Sequence, residues 1–193
     1  MSASYGSLTS VVTESQLVSS EHGLVPKGDG WFVLNARDAP WYAREDDPVC
    51  WFEDPRGSFP QLGINLRILE PGQAMAMYHW EADQEDFLVL AGEATLIVEG
   101  VERPLRRWDL VHCPAYTKHV IVGAGEERCL VLAVGTRDRT RGEEWGGYAV
   151  DEAARRHGAS VERDTTDPAV AYEGLPPRRP VSYREGWLPE IDL

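Results

Sequence analysis

Long apolar runs are missing from this sequence. No stretch approaches the ~18 residues that a membrane-spanning helix needs, so a membrane is not an expected partner. The opening residues, MSASYGSLTSVVTESQ, show neither the basic start nor the apolar stretch of a signal peptide, and a cytoplasmic chain is expected. Cysteine is scarce. Cys50, Cys113 and Cys129 form an odd set without CxxC spacing, which argues for reduced thiols rather than a disulfide framework. Positive charge is short: Lys and Arg total 19 against 32 Asp and Glu, a net charge of −13. A surface of that sign repels phosphate backbones, which excludes nucleic acid as an expected partner. There is also no nucleophile elbow, no phosphate-cradling glycine loop, no basic patch and no internal repeat.

What is present is a globular composition. The apolar fraction is 42%, with seven Trp and seven Tyr in 193 residues, enough for one domain with a sizeable core. Residues 1–22 are rich in Ser and Thr with weak periodicity and are expected as a flexible arm. Residues 23–62 offer short strand candidates, Trp31 to Asn35 and Val49 to Glu53, among turn-forming prolines. They are expected as a β extension packed on the main sheet.

The dense β region spans residues 63–135. Gly63 to Glu70 alternates, Pro71-Gly72 turns, and Ala74 to Glu81 with Asp86 to Leu90 is expected as a hairpin. Ala94 to Val98 pairs with Val101 to Leu105 across Glu99-Gly100. Trp108 to Cys113 is stopped by Pro114. Lys118 to Val122 and Arg128 to Gly135 are expected to pair across the loop at Gly123–Glu126. Eight or more short strands with no helix between them predict an all-β antiparallel barrel or jelly roll. Residues 136–193 change character. Asp151 caps a helix EAARRH that ends at Gly158, Asp167-Pro168 caps a second closed by Gly174, and an irregular Pro-rich, aromatic tail follows.

The chemistry gathers around the first of those hairpins. Period-two alternation puts Met75, Met77, His79 and Glu81 on one strand face, and Glu85, Phe87 and Val89 return after a short polar turn. His119 opens a strand two hairpins later and can face them across a closed barrel. Two imidazoles and one or two carboxylates suit a divalent transition metal: Zn, Fe, Mn, Ni or Cu. With both histidines neutral, one glutamate leaves a divalent ion at +1 and two leave it neutral, a weaker Lewis acid. Met77, Phe87 and Ile121 are expected to line an apolar pocket above a polar floor. Taken singly, each of these side chains reads as an ordinary core or solvated residue; the case rests on their being found together.

Those residues resemble the cupin family. Gly72, His79-Trp80-Glu81, Glu85 and Gly92 follow its first motif, in which a His-x-His pair precedes a Glu and a Gly stands seven residues after that Glu. Pro114-Ala115-Tyr116-Thr117-Lys118-His119 follows the Pro-x-Gly-x-x-His turn of its second. Glu81 stands where the second His belongs, Tyr116 replaces the Gly, and Gly123 stands where an Asn is often found. The resemblance covers roughly residues 63–135. It implies a single jelly-roll β-barrel with a metal near its centre, held by His79, Glu85 and His119 with Glu81 as a fourth ligand, and usually a homodimer. It also implies a small-molecule ligand, either transformed at the metal or bound without turnover. The aromatic tail, Trp145, Tyr148, Tyr172, Tyr183 and Trp187, offers apolar surface that a homodimer is expected to use.

Overall fold

The computed structural model describes residues 12–53, 59–137 and 145–190. Two antiparallel sheets enclose the core, as the alternation predicts. One has seven strands and the other five; a separate hairpin of β1 (Gln16–Ser20) and β2 (Gly23–Lys27) stands beside them. The seven-stranded sheet runs β10 (Leu110–Cys113), β7 (Glu85–Ala91), β12 (Cys129–Thr136), β5 (Leu62–Leu69), β4 (Asp47–Cys50), β3 (Trp41–Arg44), β14 (Arg179–Val181). The five-stranded sheet runs β13 (Gly146–Tyr148), β6 (His79–Glu81), β11 (His119–Ala124), β8 (Glu93–Val98), β9 (Val101–Arg106).

Leu69, Phe87, Val89, Val131 and Ile121 point between the sheets and form the interior of the barrel. The outer faces are covered too. Helix α1 (Glu152–Arg156) lays Ala153 and Ala154 against Val120, Val122 and Ile97 of the five-stranded sheet. Trp41, Tyr183 and Trp187 cover Leu66, Ile68 and Leu130 of the seven-stranded one. Burial on both faces explains why HVIVGA and CLVLAV read as continuous apolar runs rather than clean alternations. Asp151 caps α1 by accepting from the Ala154 N–H at 2.8 Å, and Asp167 caps α2 (Pro168–Ala171) by accepting from Ala169, both as the sequence predicts.

Several expectations are corrected. β6 and β7 are not a hairpin. β6 pairs with β11 and β13, while β7 pairs with β10 and β12, so the chain crosses from one sheet to the other between Glu81 and Glu85. β11 and β12 likewise lie in opposite sheets instead of pairing with each other. Alternation identifies a strand's faces but not its neighbour, and in a jelly roll consecutive strands often belong to different layers. The strand expected from Ala74 begins only at His79; Ala74 to Tyr78 is irregular apart from one bridge, Ala74 to Val122. Trp31 to Asn35 is not a strand, whereas Trp41–Arg44 is.

Within the segment expected as a flexible arm, Gln16–Ser20 forms β1; residues 1–11 lie outside the described set. β4 of the extension pairs with β5, and β14 of the tail pairs with β3. Trp41 is fully buried with the rings of Tyr183 at 6.1 Å and Trp187 at 5.2 Å. Tyr148 packs edge-on to Trp145 and Tyr172. The tail aromatics therefore pack on their own chain.

Candidate metal centre

Two glycines show why the chain can bring its ligands to one point. A Cβ on Gly92, at φ +71°, would lie 2.3 Å from the Arg128 carbonyl oxygen; one on Gly123 would lie 2.2 Å from that of Glu70. Only glycine lets these strand ends pack so closely, which gives the Gly92 of the motif, and the departure at Gly123, a steric reason.

His79 and His119 sit directly opposite each other on paired strands of the five-stranded sheet, and Glu85 opens β7 in the sheet facing them. One ligand atom from each of the three falls within 4.8 Å of the others. The Glu85 Oε2 atom is 3.4 Å from His119 Nε2 and 3.7 Å from His79 Nε2. Donors held about 2.0–2.1 Å from a tetrahedral metal stand about 3.4 Å apart, so the observed edges fit such an ion.

The imidazoles are aimed as well as placed. His79 Nδ1 lies 2.8 Å from the Met77 carbonyl and His119 Nδ1 3.0 Å from the Thr117 carbonyl. A carbonyl can only accept, so each ring donates through Nδ1–H and turns the lone pair of Nε2 to the common point. Glu85 Oε2 and His119 Nε2 are both buried without a hydrogen-bond partner. Buried polar atoms are rarely left so, and a cation at the shared point would satisfy all three donors.

The histidine–glutamate approaches are not ion pairs. Burial, the neighbouring His119 and the Met77 contact together leave His79 at about 3, and burial lowers His119. Burial, with help from Glu81, pushes the Glu85 carboxyl up. Both rings are therefore neutral, the form that ligates, and Glu85 holds a proton that a metal would displace.

The Glu81 carboxylate is not part of the 4.8 Å cluster. Burial and the charge of Asp83 raise it, and Arg137 offsets part of that. Phe87 packs against the His119 ring, tilted by 55° with centroids 5.2 Å apart, and Ile121 is fully buried in the barrel interior. Met77 leaves that group: because β6 starts only at His79, its side chain packs with Tyr148, Val161 and Tyr172 instead. Tyr148, 6.1 Å from the His79 ring, is a neighbour that sequence reasoning missed. It lies well outside the motifs, and no spacing pointed to it.

Tyr116 holds the second motif's turn in the left-handed region at φ +70°, where that motif has glycine, with its N–H donating to the Glu81 carbonyl at 2.7 Å. The turn is kept at some backbone strain, and the ring stacks 5.5 Å from Trp80.

The family model of the cupin domain matches residues 65–135. No curated protein matches the sequence. Among solved structures, a protein of Acidithiobacillus ferrooxidans is 30% identical over 48% of this chain and 60% of its own, with a TM-score of 0.44; this chain thus spans 60% of that relative's length. A sugar phosphate isomerase of the cupin superfamily from Silicibacter pomeroyi is 29% identical over 55% and 68%, also at 0.44. A cupin 2 conserved barrel domain protein from Salinispora arenicola is 22% identical over 49% and 78%, at 0.42. Residues 65–135, which carry His79, Glu85 and His119 within the two-sheet barrel, are thus the part of the chain that matches the cupin domain.

Proposed function

We propose that the barrel binds a divalent transition metal through His79, Glu85 and His119 and uses it to bind or transform a small oxygenated molecule. The observation that carries this is the orphaned pair, Glu85 Oε2 and His119 Nε2, buried 3.4 Å apart with no partner but each other and His79. The metal would supply Lewis acidity to an oxygen ligand. Glu81, outside the ligand group but near enough to raise Glu85, is the residue suited to take or give a proton beside it.

A second reading, a site that binds without turnover, is favoured by the packing. Phe87 lies 5.2 Å from one ring and Tyr148 6.1 Å from the other, aromatic cover on both sides of the ligand group. Elemental analysis of the purified protein tests the metal reading: one ion per chain, lost in His119→Ala, supports it. A protein that carries none, and whose melting temperature no added ion raises, overturns it. Solvent-water relaxation in the Mn²⁺-loaded protein separates the two readings, since an exchangeable water marks an open position and its absence a closed one.

A further inference from the structure

Next to the barrel, on the inner face of the sheet's extension, three guanidinium groups converge on one carboxylate. Arg44 Nη2 and Arg67 Nη2 each lie 3.6 Å from Asp47, on Oδ2 and Oδ1. Arg178 donates to both the carboxylate and the carbonyl of Asp47. All four side chains are between 12% and 16% exposed. Among the described residues Asp47 is the one carboxylate in ion-pair contact with these arginines, so one negative charge faces three positive ones.

Such an excess is costly away from water. Burial and repulsion from Arg178 bring Arg67 down to about 10, and burial lowers Arg178 too. Arg67 donates to the Met75 carbonyl, yet its buried Nε–H has no partner. Among the described residues, the contacts of the Arg44 guanidinium are the long one to Asp47 and the Tyr172 ring at 5.0 Å. In a chain of net charge −13 this local surplus of two positive charges stands against the overall balance. Buried charge of one sign is kept where a counter-charge arrives to meet it.

There is room for one. A cavity of about 260 Å³ opens beside the cluster; Arg44 and Asp47 line it together with Met75, Met77 and Tyr172, while Arg67 and Arg178 stand outside its lining. His157 is the further titratable group on its rim, and it is held by Glu102 at 3.3 Å. The volume falls just below the roughly 300–1,000 Å³ of drug-sized ligand pockets, which suits a small anionic head with a short apolar body.

We infer that this cavity is an anion site, distinct from the His79–Glu85–His119 centre, which takes a carboxylate or phosphate head against Arg44 with Arg67 and Arg178 behind it. Arg44, Asp47, Tyr172 and Arg178 all lie outside residues 65–135, so the site belongs to the extension and tail. Guanidinium groups suit this ligand because their planar forks match the oxygens of either head. The apolar wall of Met75 and Met77 would take the organic body.

The test uses the full chain after exhaustive chelation, so that no anion can bind through a metal. Melting temperature and titration calorimetry are followed against inorganic phosphate and, separately, propionate, at constant ionic strength. A saturable rise in melting temperature with one-to-one heats is expected for at least one of the two, and which one responds identifies the head. Arg44→Gln should weaken that midpoint roughly tenfold, the loss of one charge-assisted contact, while Arg44→Lys, which keeps the charge but not the fork, should fall between the two. With no anion added, Arg44→Gln should melt no lower than the parent, because it relieves repulsion; a structural role would lower it. No saturable response from the parent chain, an equal response in Arg44→Gln, or a lower melting temperature of that variant without anion overturns the inference. An Arg44→Gln chain that does not fold counts as such a lowering and overturns it too.

Discussion

Tyr116 allows the backbone argument to be separated from the side-chain one. Its φ of +70° places a non-glycine residue in the left-handed region, at a cost of about 1–2 kcal/mol from the crowding of its Cβ. The ring offsets part of this by stacking on Trp80 at 5.5 Å, but it is 59% exposed, so that contact is worth about 0.5–1 kcal/mol. Tyr116→Ala keeps the Cβ and loses the ring, and should destabilise by that amount. Tyr116→Gly loses the ring and relieves the strain, while glycine's extra freedom in the unfolded chain takes back about 0.5–1 kcal/mol. The glycine variant should therefore be more stable than the alanine variant by about 1 kcal/mol, or about 2–4 °C in melting temperature for a chain of this length. Urea unfolding of the three proteins with matched m-values measures both differences. An alanine variant as stable as, or more stable than, the glycine variant would refute the claim that the turn leading to His119 is strained.

Three further outcomes are expected. In the metal-free protein, stability should fall as pH rises above about 6.5. The raised Glu81 and Glu85 hold protons in the folded state, until about pH 7 and about pH 8, that the unfolded chain has already released, and the histidines, neutral when folded and losing their last protons in the unfolded chain just above 6.5, offset only part of this. Melting temperatures at about pH 6.5 and about pH 8.5 check this, and Glu85→Gln should flatten the slope. Affinity for the ion should rise over the same range, because the metal displaces the Glu85 proton; competition with a coloured chelator reads it, and an affinity that falls with pH would count against the ligand assignment. Trp41→Ala should cost about 3–5 kcal/mol, since it empties a fully buried site and strands the Ala36 carbonyl that its indole N–H reaches at 2.8 Å; denaturant unfolding measures the loss.

The barrel was legible because its strands alternate, and the ligand trio because His79, Glu85 and His119 keep a motif's spacing. Which strands touch was not. The period of two that placed His79 and Glu85 near one another is the same whether β6 and β7 are hydrogen-bonded neighbours or face each other from opposite sheets, and the second is the case. Met77 was misplaced for a local reason: the strand that would have turned it inward starts two residues after it. The arginine cluster left no trace, because Asp47 and Arg178 meet across 131 residues and nothing in either neighbourhood names the other. Trp41 was overlooked as a strand residue because Pro40 before it read as a turn.

The packing of Trp41 on Tyr183 and Trp187 has a consequence for how the chain is made. Synthesis is vectorial, and the indole emerges from the ribosome about 140 residues before the rings that cover it. Through that interval the outer face formed by Leu66, Ile68 and Leu130 has Trp41 but lacks Tyr183 and Trp187, even after the strands around it have been translated. The nascent protein therefore passes through a sticky stage whose length is set by the spacing between extension and tail. Slowing translation over the segment 136–182 should prolong that stage and raise the demand for chaperones, without a single contact of the finished fold being altered.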